Sequence, residues 1–160
     1  MTLRISFEQE LENLNDALTD MGTKVERVIE RTFEAFRNND REALQKIIRG
    51  DGEVDRMEKE IESQCLSLML RQQPVARDLR HISMALKVVT DLERIGDHAV
   101  DIAELALRLD QKDAEAMVGY LPEMVENVKT MLRESIDAFV KKDVELAHSM
   151  ESRDDIIDGL

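Results

Sequence analysis

Apolar residues recur at steps of three and four over most of the chain. Leu11, Leu14, Leu18, Met21, Val25, Val28, Ile29, Phe33 and Phe36 hold that rhythm over many turns, which predicts a first helix from about Phe7 to Asn38. Asn38-Asn39-Asp40 predicts a turn, with Asp40 capping the next helix toward Ala43. The second helix is expected from about Arg41 to Arg71, on the apolar set Leu44, Ile47, Ile48, Val54, Met57, Ile61, Cys65, Leu68 and Met69. Gly50 and Gly52 each weaken it by about 1 kcal/mol relative to Ala, so a kink is expected there. Pro74 suits the first turn of a third helix reaching from about Val75 to Leu109. Asp110-Gln111-Lys112-Asp113 is expected as a linker, a fourth helix runs from near Pro122 to Lys141, and Asp143 opens a fifth.

A shift of 103 residues superposes Met21–Met57 on Met124–Leu160 without a gap, with identities at Met21/Met124, Val25/Val128, Ala35/Ala138, Phe36/Phe139, Asp40/Asp143, Glu42/Glu145, Asp51/Asp154 and Asp55/Asp158. An ordered set of matches around a shared turn marks an internal repeat. The expected organisation is all-α: a three-helix bundle over residues 1–110, then a helix hairpin over 111–160 that opens a second, incomplete unit. One apolar side of that hairpin is expected to be covered by another subunit, in a homodimer or higher oligomer.

The third predicted helix carries the main candidate chemistry. Glu93, Asp97, Asp101 and Glu104 follow one another at steps of four, four and three. At about 100° per residue they fall within about 80° of one another, beside the apolar arc. Like charges so spaced repel by about 0.2–0.5 kcal/mol per pair, which leaves two readings: a solvated acidic face, or a stripe that holds a hard cation or a basic partner. Gly96 falls with Ala85, Ala99 and Ala103 on a seam of small residues, where a neighbouring helix is expected to approach closely. Asp51 and Asp55 repeat the four-residue step in the second helix, as do Asp154 and Asp158; a shared metal-ligating role and a shared capping or turn role explain that recurrence equally well.

Composition narrows the partners. There are 22 Lys and Arg against 35 Asp and Glu, a formal net charge of −13. Such a surface repels the phosphate backbone of nucleic acid and an anionic bilayer, and it favours cations and basic protein surfaces. No stretch is long and apolar enough to span a membrane. Cys65, the one cysteine, is expected as a small buried hydrophobe and rules out a disulfide framework within one chain. A reducing cytoplasm fits that usage. No Gly-rich phosphate loop, Ser/His/Asp set or Cys/His pair is present, so the chain is not expected to be an enzyme. The opposing class, a ferritin-like di-metal oxidase or metal store, needs two Glu and two Glu-x-x-His pairs. Only Glu145-x-x-His148 fits one, and Asp78-x-x-His81 is a poor substitute. His98 is expected to be exposed and His81 to be a packing residue.

The run Leu92-Glu-Arg-Ile-Gly-Asp-His-Ala-Val-Asp-Ile-Ala-Glu104, with Pro74-Val-Ala-Arg-Asp-Leu-Arg80 before it, resembles the signature of the PhoU family of phosphate-signalling proteins. The resemblance extends over the whole chain. It implies tandem three-helix bundles, with the second bundle cut before its own third helix and signature. It implies a Glu/Asp-x-x-x-Asp metal motif, which falls here on Glu93 and Asp97, for iron or another divalent or ferric ion (magnesium, manganese or zinc). Asp101 stands where the family often has Asn. The resemblance further implies a non-enzymatic adaptor that represses the phosphate regulon and lowers the activity of the phosphate-specific ABC transporter. Its partners would be that transporter's ATPase and a sensor histidine kinase. The expected location is the cytoplasm, peripheral at the inner membrane through those partners.

Overall fold

The computed structural model describes residues 2–50 and 52–160. Seven helices are found among them: α1 (Thr2–Arg37), α2 (Arg41–Arg49), α3 (Gly52–Gln72), α4 (Ala76–Arg108), α5 (Gln111–Met117), α6 (Leu121–Lys141) and α7 (Val144–Asp158). The fold class is all-α, as the periodicity predicts, with two differences of detail. The second predicted helix is broken into α2 and α3 rather than kinked. Gly50 closes α2, its N–H donating to the carbonyls of Lys46 and Ile47. In the repeat Arg153 stands in place of Gly50, and α7 runs through the same register without a break. The expected linker at 110–113 is instead the start of α5, a helix of 7 residues, too short to show a periodic stripe.

The repeat is visible in the backbone. Asp40 caps α2 by accepting from the Ala43 N–H at 3.0 Å, and Asp143 caps α7 by accepting from the Leu146 N–H at 2.9 Å. The preceding residues, Asn39 and Lys142, are both left-handed, with φ of 51° and 56°. The Asp40 and Asp143 N–H groups then donate to Ala35 and Ala138 at 2.8 and 2.9 Å. One turn design, including its cap, is used twice at a separation of 103 residues.

Leu14, Leu18, Met21 and Val25 of α1 are fully buried against α3 and α4, whose inward positions are Ile61, Cys65 and Leu68, and Ile82, Ala85 and Val89. Full burial of each large apolar side chain contributes about 1.5–3 kcal/mol. Leu132 and Ile136 of α6 join the same core, and α6 packs along α1 rather than standing off as a free hairpin. A Cβ on Gly22 would collide with Ile136 Cδ1, which marks how closely α6 approaches α1. Beside that contact Arg133 pairs with Glu26, and Lys129 Nζ lies 3.1 Å from Glu30 Oε1. Glu26 and Glu30 are the repeat counterparts of Lys129 and Arg133, so the two ion pairs exchange under the repeat. α1 and α6 are therefore antiparallel and related by a local twofold. His81 of α4 ties the same end: Nε2–H donates to Asn15 Oδ1 at 2.8 Å, and the ring stacks on Phe139 at 4.7 Å. Its burial, with Lys142 nearby, lowers its pKa, in keeping with a neutral packing histidine. No described helix is long and apolar enough to cross a membrane.

Candidate metal centre

The small-residue seam on α4 decides where the acidic groups meet. Ala85, Ala99 and Ala103 are buried, and a Cβ on Gly96 would lie 3.2 Å from Val54 Cγ1 of α3 and 3.9 Å from Val25 Cγ2 of α1. Glycine at 96 thus lets α3 press against α4 at Val54. Asp55, the next residue on α3, is brought beside Asp97, the next residue on α4.

Asp55, Glu93 and Asp97 form the one group of this kind among the described residues: each offers a carboxylate oxygen, and these oxygens lie within 4.8 Å of one another. Oxygens held about 2.4 Å from one Ca²⁺ sit at most about 4.8 Å apart, so the span admits a single hard cation, with water completing the shell. The donor set is all oxygen and contains no histidine or thiolate. It favours magnesium, calcium, manganese or iron over zinc, which takes nitrogen and sulfur more readily.

The electrostatics are those of a site short of positive charge. Glu93 is raised from its ordinary 4.5 to about 7, first by a hydrogen bond shared with Asp97, then by burial, then by the charges of Asp97, Glu58 and Asp55. A carboxyl so close to other negative charges gives up its proton late. Glu58 is also raised, by burial first and then by Glu62, Asp55 and Asp97. Nearby cations are engaged elsewhere: Arg94 lies 3.6 Å from Asp91, Arg56 lies 3.7 Å from Glu60, and Lys24 pairs with Glu53.

Of the six residues expected at a metal site, three are brought together. Asp101 and Glu104 are exposed and stand outside the group; the Asp101 carboxylate lies instead 3.6 Å from His98 Nδ1. The stripe turns gradually about α4, so only its first two carboxylates face α3. Asp51 lies outside the described residues. Glu58 was missed by sequence reasoning, although its three-residue step from Asp55 on α3 is a signal that would have found it. The histidines that a ferritin-like centre requires are not in the group: His81 is engaged with Asn15 and Phe139, and His98 and His148 are exposed.

The PhoU domain model matches residues 18–106 and 121–160. The chain is 42% identical over 161 residues to a phosphate-specific transport system accessory protein PhoU homolog of Clostridium acetobutylicum, covering 100% of this chain and 73% of that one. It is 34% identical over 152 residues to the homolog of Aquifex aeolicus, covering 95% of this chain and 69% of that protein. Among solved structures, it superposes on PhoU from Pseudomonas aeruginosa with a TM-score of 0.82 and 32% identity, over 95% of this chain and 73% of that chain. It superposes on the phosphate transport system regulatory protein PhoU from Streptococcus pneumoniae with a TM-score of 0.87 and 27% identity, over 96% of this chain and 72% of that chain. With its family model, its relatives and its fold in agreement, the chain belongs to the PhoU family.

Proposed function

We propose that the chain is an accessory component of a phosphate-specific transport system and holds a divalent or ferric cation in the Asp55–Glu93–Asp97 group. The cation sets the α3–α4 surface that partners recognise. In this reading it acts as a negative regulator of the phosphate regulon and of the transporter, through the transporter's ATPase and a sensor histidine kinase, and it is not an enzyme. It works in the cytoplasm at the inner face of the membrane. The observation that carries the metal assignment is the close approach of three carboxylates from two helices, with Glu93 forced to keep a proton near neutrality. A cation would relieve the same repulsion and displace that proton. The relatives' names support the transport role.

Residues 1–110 and 111–160 are proposed as a first and a second repeat unit, and the chain as a homodimer. A groove of about 560 Å³ lies over α1 between α4 and α6, lined by Phe33, Ile102, Leu105, Met124, Val125 and Val128 among others. Val128 is the repeat counterpart of Val25, which is fully buried in the first unit. A second subunit covers this apolar surface.

The test is complementation. In a strain lacking its own accessory protein, the chain is expected to restore repression of a phosphate-starvation reporter when phosphate is plentiful. Glu93→Gln with Asp97→Asn is expected to abolish that effect while the helix content persists. A reporter that the unmodified chain leaves fully induced would reject the regulatory reading. Equal repression by the double variant would reject a role for the metal.

A further inference from the structure

The segment Pro74–Arg80 takes no part in the acidic centre, yet it belongs to an exposed apolar end of the bundle. Where α3 turns into α4, through Gln73 at φ 42°, Leu70 is 81% exposed, Val75 66%, Leu66 53% and Leu79 43%. Scattered single leucines on a surface need no explanation, but two pairs, each spaced by one helical turn and flanking one tight turn, do. Arg71, Arg77 and Arg80 are exposed around them. Asp78, the one carboxylate within 74–80, is largely covered and lies 3.9 Å from Arg77.

We infer that this apolar, arginine-flanked end is a docking surface for a protein partner, whose matching face presents an apolar socket with carboxylates opposite the arginines and basic groups opposite the glutamates of α1. The inference rests on the partner reading above and deepens it by placing the contact. Two considerations select a protein over an anionic bilayer. Asn15 touches His81, and Val25 lies beside Gly96, so α1 and α4 run parallel with an offset of 66 near that end. Glu10 and Glu12 therefore lie level with residues 76 and 78. A bilayer of one sign attracts the arginines and repels these carboxylates, whereas a protein face meets both signs. Arginine also pairs with carboxylate in a two-bond fork that gives orientation as well as attraction. The acidic centre does not oppose docking at this end. Asp55 is 15 residues from Leu70 along α3, about 22 Å at about 1.5 Å per residue, well beyond a screening length of about 8 Å.

The probe is the purified ATPase subunit of the phosphate transporter from the same organism, titrated against the full chain by biolayer interferometry. Leu70→Asp and Arg77→Glu are each expected to weaken binding by at least about ten-fold, with circular dichroism and metal content unchanged. Ile156→Asp, an equally surface-borne change on α7, is expected to bind within about two-fold of the unmodified chain. If the unmodified chain binds and both tip variants bind equally well, the docking surface is overturned while the adaptor reading stands. If the unmodified chain does not bind, the partner reading fails and this inference falls with it. Binding to anionic vesicles that Leu70→Asp abolishes, or a dimer that Leu70→Asp converts to monomer, would also overturn it.

Discussion

Replacing Glu93 by Gln removes the carboxyl that is hardest to ionise and keeps its shape, so metal-free stability is expected to rise, and only at neutral to alkaline pH. In the unfolded chain Glu93 loses its proton near its ordinary 4.5; in the folded chain it keeps it to about 7. The folded state binds the extra proton across that window, so the stability Glu93 contributes is complete below about 4.5 and is lost as pH rises through about 7. At about 1.36 kcal/mol per pH unit the displacement corresponds to about 3 kcal/mol. The group is partly open to water, and screening reduces that to about 1 kcal/mol. In EDTA, Glu93→Gln is thus expected to be about 1 kcal/mol more stable than its parent at pH 8, or about 2–4 °C in Tm, and equal to it at pH 4. With manganese or magnesium at about 100 times its Kd the order reverses, because only the parent gains about 2.7 kcal/mol of binding linkage. Urea or thermal unfolding followed by circular dichroism reads both. A variant less stable than its parent by the same margin at pH 4 and pH 8, or one whose deficit ignores the metal, would refute the reasoning.

Three further outcomes follow from packing. Gly96→Leu is expected to cost about 1–3 kcal/mol in urea unfolding by forcing Val54 away, and to weaken metal binding because Asp55 moves with α3; a stable variant with full metal content would contradict that geometry. Lys129 is buried, but its partners Glu30 and Glu126 are 52% and 71% exposed, so Lys129→Met leaves both carboxylates in water and is expected to change stability by less than about 1 kcal/mol, as a urea titration would reveal. The Cys65 thiol is fully buried, and burial pushes it up to about 11, so it is expected to resist a disulfide reagent in the native chain and to react promptly in denaturant.

Periodicity was enough to place the long helices because their buried faces recur every 3.6 residues, as Leu14, Leu18, Met21 and Val25 do on α1. It failed where no stripe exists: α5 has no buried residue. Gly50 and Gly52 located a weak point but not its outcome. Whether a helix bends or stops there depends on what the flanking turns pack against. The site was half legible for a related reason. Helix spacing groups Glu93, Asp97, Asp101 and Glu104 on one side of α4, but membership of the cluster depends on which neighbour that side meets. The approach of α3 at Gly96 selects Glu93 and Asp97, adds Asp55, draws in Glu58 as a charged neighbour and leaves the last two residues of the stripe in water. Asp55 was legible only as an echo of the repeat.

The most direct test of the account is therefore a paired titration of manganese into metal-free chain, followed by electron paramagnetic resonance, comparing Asp55→Asn with Asp101→Asn. The geometry predicts that Asp55→Asn, on a different helix from the signature run, weakens binding by at least about ten-fold (about 1.4 kcal/mol), while Asp101→Asn, inside that run, binds as the parent does. Equal affinity in Asp55→Asn, or an equal loss in Asp101→Asn, would contradict the assignment of the cation to the cleft between α3 and α4.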